Sequence, residues 1–449
     1  MDGTTGRVSE LRFLELVSDW KGAAASCIGN SRLNGVYHFA FTIWLMLFQR
    51  LESKSMQKAL ADEFFMSSGG GVLAEWRGRS RKLSTGKVSQ RTGGFARARQ
   101  RIGLANLSAL AGHVRSKLTL KAGSKGSIFV IDGTTVTIAR TKANVEEFGL
   151  HRMEGGDLHF PRVRMVAAHD LETGIPTIPV LGTLRVGECE IAEEVVPQLP
   201  EDSTILGDRG FGIFHFVHLV QKGRKRSVVR LTDRIFKRVA GGLVAPGNWE
   251  RAVTWTPSKD DLKGNEENFD THASVPGRLL QYQINRPGYR SITLKLFTTT
   301  DLSAAELAEL YLQRVQVETW IRNVKQDLGI AFINAKHPDT VRKELYVAYM
   351  AFAMVCAAMC DIATQGNVSV KRISFSYVRH ALRAISLSLP HDDTNFELLW
   401  ARIVNAALQV QIPIRKKHRS FPRILKRGKS KFQTNVMRNN CQKNNTNCK

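Results

Sequence analysis

Two short apolar runs in this chain each lead into an aspartate, and a third acid lies far downstream on an amphipathic helix. Ser127-Ile-Phe-Val-Ile runs into Asp132, Ser203-Thr-Ile-Leu-Gly runs into Asp208, and Glu318 falls within a helix predicted over residues 303–329. In open α/β sheets, groups at the carboxyl ends of strands line the crevice where ligands bind. Three hard oxygen donors delivered there, two from strand ends and one from a helix packed on the sheet, suit Mg²⁺. Two such ions about 3.5–4 Å apart activate an attacking oxygen and stabilise a leaving one during an in-line phosphoryl displacement.

The same helix carries more than the acid. Asp301 or Ser303 can cap it, Glu306 sits in its first turn, and no Pro or Gly interrupts it before Gly329. At about 100° per residue, Leu310, Val317, Ile321, Val324 and Leu328 form one apolar stripe that can pack on a sheet. Tyr311, Arg314, Glu318 and Lys325 form a second stripe, rotated by roughly 70° from the first. Arg314 can grip a phosphate bidentately, Lys325 supplies a point charge, and the Tyr311 hydroxyl can donate to a phosphate oxygen. Each feature alone has an ordinary explanation. A charged helix face is usually surface, Arg314 and Glu318 could be a plain i,i+4 pair, and an Asp at a strand end is often a turn former. The conjunction favours a site that holds an anion beside its own carboxylates. Asp170 reads instead as a turn former, and Glu188 and Glu190 as outer acids or plain surface. The sequence has no P-loop, no GxGxxG in a fitting context and no nucleophile elbow.

The elements that must position these residues read as an α/β protein. Residues 1–120 form a helical, basic region with helices predicted at 36–54, 55–63 and 95–118 and a basic stretch holding Arg77, Arg79, Arg81, Lys82, Lys87 and Arg91. Residues 121–231 alternate strands and helices and carry both aspartates. Residues 232–300 read as an all-β insertion broken by a charged, Gly/Asn-rich loop. Residues 301–335 hold the Glu318 helix, 336–412 are helical with buried helices at 338–363 and 373–388, and 413–449 form a basic tail of disordered composition. The 65 Lys and Arg against 40 Asp and Glu, net +25, imply a polyanionic partner. The uncharged run 345–359 is short for a bilayer span and closely bounded by Glu344 and Asp361, which argues against a membrane protein. The six cysteines show no metal-site spacing, and a reducing cytoplasm fits them.

These residues resemble a known family. Tyr311-x2-Arg314-x3-Glu318-x6-Lys325 matches the Y-R-E-K signature of the DDE transposases of bacterial insertion sequences, of the "IS-four" type. Asp132-Gly133-Thr134 resembles that family's first aspartate motif, Gly207-Asp208-Arg209-Gly210-Phe211 its second, and Phe95-x2-Ala98-Arg99-x-Arg101-Ile102 its N-terminal helical region. The resemblance covers about residues 30–430. It implies a ribonuclease-H-like catalytic core with a β-rich insertion, a helical N-terminal DNA-binding region and a helical C-terminal region. It implies Asp132, Asp208 and Glu318 as catalytic metal ligands for two Mg²⁺ ions, with Mn²⁺ as a substitute. Tyr311, Arg314 and Lys325 would contact the phosphate at the transposon end, with Arg209, Arg97, Arg99 and Arg101 as further DNA-binding residues. The implied activity is cut-and-paste transposition, by hydrolysis that frees a 3′-OH followed by strand transfer. The implied partners are double-stranded DNA, as transposon ends and target, and a second copy of the chain in a synaptic dimer, in the bacterial cytoplasm at the nucleoid. Trp255, Tyr282 and Tyr289 are candidates to stack a flipped base. The rival readings are a non-catalytic DNA-binding relic and a structure-specific nuclease; the intact acid set argues against the first, and the Tyr-Arg-Lys edge against the second.

Overall fold

The computed structural model describes residues 36–52, 55–62, 91–119, 126–153, 156–242, 244–263, 271–285, 291–388 and 393–413. The basic stretch from Arg77 to Lys87, Tyr289, and the tail from Arg415 onward with Cys441 and Cys448 lie outside the described residues. Among the described residues, four helices come first: α1 (Phe39–Glu52), α2 (Met56–Ala61), α3 (Gly93–Arg101) and α4 (Leu104–Thr119). The alternating part follows as β1 (Ile128–Ile138), α5 (Lys142–Phe148), β2 (Arg152–Met153), β3 (Gly156–Asp157), β4 (Arg162–Asp170), β5 (Val180–Gly182), α6 (Glu188–Val195), β6 (Thr204–Gly207), α7 (Phe214–Lys222) and β7 (Arg226–Arg230). Then come α8 (Asp233–Val239), β8 (Trp249–Trp255), α9 (Lys259–Leu262), β9 (Val275–Ile284) and β10 (Ile292–Thr298). The remainder is α10 (Ala304–Gln313), α11 (Gln316–Arg322), β11 (Phe332–Ile333), α12 (Pro338–Gln365), α13 (Phe375–Ser388) and α14 (Asp393–Gln409).

One mixed sheet organises the molecule, in the order β5-β4-β1-β6-β7-β10-β9-β8, with β11 also on β1. β5, β4 and β1 form an antiparallel meander, while β6 and β7 run parallel to β1 on its other side. An apolar run that leads into Asp-Gly, followed by the β-branched Thr134–Ile138, reads in sequence as two strands joined at a tight turn. Instead β1 continues straight through it, because Asp132 to Thr137 stay paired with Arg162 to Ala167 of β4. The insertion departs from expectation in a second way. Its strands do not form a separate all-β unit: β10 pairs with β7, and β9 and β8 follow, so the main sheet is extended by three strands with α8 and α9 between them.

Side chains alternate across the sheet, as a strand requires. Phe129 and Ile131 face a cluster with Ile191, Val195, Phe214 and Phe216 of α6 and α7. On the other face, Val130, Leu206 and Val228 pack under Leu307, Leu310 and Val317, and Val136 and Ile138 join the cluster built around α12. α12 begins with Pro338, its first turn capped by the His337 ring, which accepts from the Asp339 N–H at 3.4 Å. It is apolar all round because protein surrounds it: 83% of its most apolar window is buried, as expected for a core helix.

The N-terminal helices are fastened to α12 by buried charge. Arg50 of α1 and Arg99 of α3 both bond the Glu344 carboxylate, one on each oxygen. Lys343 is fully buried, pairs with Asp339 and donates to the backbone oxygen of Gln100 at 3.1 Å. This corrects one expectation. Arg99, read from sequence as a DNA contact, is 5% exposed and is spent inside the protein, while Arg97 and Arg101 on the same helix are exposed. A guanidinium desolvated this far stays only where a carboxylate holds it.

Candidate active site

The two aspartates meet where the sheet opens. β1 pairs with β6 only over Ile128–Val130 against Thr204–Leu206, and with β11 only at Thr137–Ile138. Between those points β1 has no partner on that side among the described residues. Asp132 and Asp208 each lie two residues past the last paired positions, Val130 and Leu206, so they stand at matching heights across the gap. A glycine N–H holds each one: Gly133 donates to Asp132 Oδ1 at 2.8 Å, and Gly210 donates to Asp208 Oδ1 at 2.7 Å. Burial and the nearby Asp208 charge push the Asp132 carboxyl up to about 6, although Arg314 pulls the other way.

Glu318 arrives from the helix face, by a route that differs from the expected continuous helix. The predicted cap is present, with Ser303 Oγ accepting from the Glu306 N–H and the Glu306 carboxylate accepting from the Ser303 N–H. The helix then breaks between α10 and α11. Arg314 N–H donates to Tyr311 O at 3.1 Å, Val317 N–H to Arg314 O at 3.0 Å and Glu318 N–H to Val315 O at 3.2 Å, all three-residue turns. No Pro or Gly is present, so the break is set by tertiary context and not by local propensity. A π-type turn follows at Asn323–Asp327, with Leu328 N–H reaching back to Asn323 O. The apolar stripe survives both irregularities: Leu310, Val317, Val324 and Leu328 are buried and Ile321 half-buried.

The break puts the Arg314 guanidinium between two acids, 3.6 Å from Asp132 Oδ2 and 3.5 Å from Glu318 Oε1. The Glu318 side chain is 62% exposed and the Asp132 side chain 17%. Among the described residues, no three His, Cys, Asp or Glu side chains converge tightly enough to hold an ion, and Arg314 stands in the space between. The donor chemistry nevertheless suits hard divalent cations: Asp132 is raised first by burial and then by the neighbouring Asp208 charge, both of which a bound cation would offset. Tyr311 is buried beside Arg314 and Arg230, and burial raises its phenol. Arg209, next to Asp208, is exposed and lies near Arg230, whose own pKa is lowered by burial and then by the Arg209 and Arg314 charges. Lys325 sits farther along, near Arg162, the residue opposite Thr137 on β4; burial first and then Arg162 lower its pKa.

The structure thus sets Asp132 near Asp208, puts Arg314 between Asp132 and Glu318, and places Tyr311, Arg230 and Arg209 beside them, with Lys325 farther along. Sequence reading missed Arg230, which closes β7 with no distinguishing pattern, and left Glu188 undecided. Of the stacking candidates, Trp255 is 1% exposed, its ring edge-on to Phe297 at 4.9 Å, so it is a core residue; Tyr282 is half-buried. Asp170 is the turn former expected, accepting from the Glu172 and Thr173 N–H groups.

A sheet that opens between one aspartate within β1 and another just past the end of β6, with a third acid near it on a basic helix edge, is the kind of site that a DDE domain needs. The Transposase DDE domain family matches residues 123–354, more than half of the 449-residue chain, and the chain belongs to that family. The chain is also similar to a relative of the type that its signature residues led one to expect: it is 23% identical over 323 residues to transposase InsG for insertion sequence element IS4 of Escherichia coli (strain K12), covering 69% of each protein. A solved structure of piggyBac transposase in a synaptic complex with hairpin DNA is similar over 88% of this chain and 84% of that one, at 12% identity and a TM-score of 0.44.

Proposed function

We propose that this protein excises and inserts an insertion sequence by cut-and-paste transposition, with Asp132, Asp208 and Glu318 as its catalytic carboxylates. One observation carries the reading: Asp132 and Asp208 stand at matching heights across the gap between β1 and β6, with Glu318 tied to Asp132 through Arg314. The strand order β5-β4-β1-β6-β7, an antiparallel meander followed by two parallel strands, supports a ribonuclease-H-like core.

Asp132, Asp208 and Glu318 would hold two Mg²⁺ ions, or Mn²⁺ in their place, which when bound supply Lewis-acid stabilisation of the attacking and leaving oxygens. The remaining work falls to the chain's own groups. Arg314 is poised to move its two N–H donors from the carboxylates to a scissile-strand phosphate, which presents the same bidentate acceptor geometry. Tyr311 and Arg230 buttress it on one side, and Lys325 and Arg162 extend positive charge along the strand path. Arg97, Arg101 and Arg209 add non-specific attraction to the phosphate backbone. The working form is a dimer that pairs two transposon ends, acting on the bacterial chromosome in the cytoplasm.

The test uses the full chain and DNA carrying the inverted repeats that flank its gene. Wild type should release a 3′-OH at the repeat end in Mg²⁺, and Asp132→Asn, Asp208→Asn and Glu318→Gln should each abolish cleavage while retaining end binding. Cleavage at the wild-type rate in any one of them would remove that residue from the site.

A further inference from the structure

We infer that Glu188 is a fourth carboxylate of this site, reaching it from the opposite face of the sheet and sharing the divalent cation held by Asp208, directly or through one water; the inference rests on the transposase reading above. Glu188 is the first residue of α6, which packs against Phe129 and Ile131 on the face away from α10 and α11. The two acids in its first turn have different employments. Glu190 folds back on the helix start, its carboxylate accepting from the Gly187 N–H at 3.0 Å. Glu188 instead lays its carboxyl against β1 at Gly133, beside the gap in the sheet.

Its position is fixed by the two glycines that hold the catalytic aspartates. A Cβ added to Gly133 would fall inside the Glu188 carboxyl group, so only glycine at that point of β1 lets the carboxyl lie there. A Cβ added to Gly210 would lie 3.1 Å from Asp208 Oδ1 and 3.9 Å from Glu188 Oε2. One Glu188 oxygen therefore faces the Asp208 turn, while Oε1 lies 4.0 Å from Arg164 Nε. The α6 start is also pinned to that turn, since Cys189 Sγ donates to Gly210 O at 3.2 Å. A purely structural Glu188 would be neutralised by its partner, but Arg164 turns Nη1 away to the Val186 carbonyl and keeps only a loose approach. A cation at the Asp208 turn would give the Glu188 carboxylate the partner that Arg164 supplies only loosely.

The experiment compares full-length wild type with Glu188→Gln, Gly133→Ala, Arg164→Met and Asp132→Asn, each checked for an intact melting transition. Gly133→Ala displaces the Glu188 carboxyl without removing it. Mn²⁺ binding is titrated without DNA by electron paramagnetic resonance of the free ion, and the Mg²⁺ concentration giving half-maximal end cleavage is measured separately. Glu188→Gln and Gly133→Ala should each weaken Mn²⁺ binding and raise the Mg²⁺ requirement by about 10–100-fold, with cleavage recovered at high Mg²⁺, and Arg164→Met should do neither. Wild-type Mn²⁺ binding and Mg²⁺ dependence in Glu188→Gln would overturn the inference, as would the same shift in Arg164→Met, which would mark a structural ion pair. Should Asp132→Asn itself cleave and bind Mn²⁺ like wild type, the active-site reading would fall first, and that result is distinguishable from failure of Glu188 alone.

Discussion

Arg314 bridges Asp132 and Glu318, with Nη1 3.6 Å from one carboxylate and Nη2 3.5 Å from the other. Without DNA the guanidinium therefore competes with any cation for the same oxygens. Arg314→Ala should bind Mn²⁺ several-fold more tightly in the absence of DNA, because a positive charge has left the site. The same variant should lose transposon-end affinity and cleavage, and Arg314→Lys should restore little, since an ammonium lacks the paired donors. Electron paramagnetic resonance titration and fluorescence anisotropy on labelled end DNA check the two halves.

Asp132 makes catalysis and stability pull in opposite directions. Its carboxyl sits at about 6 instead of the usual 3.8, so between those values the folded chain holds a proton that the unfolded chain has released. Stability therefore falls as pH rises through that window, by up to ~3 kcal/mol. Asp132→Asn should be inactive yet more stable at pH 7–8 by up to that amount, with the difference vanishing near pH 3.5. Cation binding by wild type should weaken as pH drops through about 6. Urea melts across pH and Mn²⁺ titrations test both signs.

How much of this was readable beforehand varies with the physics involved. The apolar runs leading to Asp132 and Asp208 and the apolar stripe of the Glu318 helix follow from local pattern; Asp208 does follow the end of β6, whereas Asp132 lies within β1, which β4 holds extended as far as Thr137. The break at Arg314 does not, because nothing in Gln313–Gln316 disfavours a helix; it appears only when Leu310 and Val317 settle on the sheet. Arg99 and Arg101 look alike in sequence and differ only in which side of α3 meets Glu344. The insertion strands looked self-contained because hydrophobic alternation says nothing about which edge a strand joins. Glu188 was visible as an acid, but its approach depends on Gly133 lacking a side chain in a strand 55 residues earlier.

The Arg50–Glu344–Arg99 cluster yields a prediction about folding. Glu344→Ala would leave two buried guanidinium groups without their carboxylate and should cost about 3–5 kcal/mol, read as a lower urea midpoint. Arg99→Ala should lower stability too, without changing the salt dependence of DNA binding. Arg97→Ala and Arg101→Ala should each reduce the slope of log affinity against log salt by about 1, with little effect on melting.

Trp320, two residues after Glu318, stacks on His169 of β4 at 5.3 Å and lies against Gly174. The pair sets how α11 sits on the sheet. Trp320→Ala should cost about 3 kcal/mol and reduce cleavage more than end binding. Burial holds His169 near 4 and therefore neutral at physiological pH, with its ring also bonded to the Gly174 carbonyl. Between about 6.5 and 4 the unfolded chain takes up a proton that the folded chain refuses, so this residue makes stability fall on acidification. A His169→Phe variant should show a shallower acid limb in thermal melts between pH 6.5 and 4.

Because β10 is hydrogen-bonded along β7, residues 232–300 cannot be excised to leave a minimal nuclease. Deleting them would bare the backbone of β7 immediately beside the strand that delivers Asp208, and an uncovered hydrophobic edge recruits other chains. Any attempt to miniaturise this enzyme must therefore supply a replacement border for the sheet, or expect a precipitate in place of a smaller catalyst.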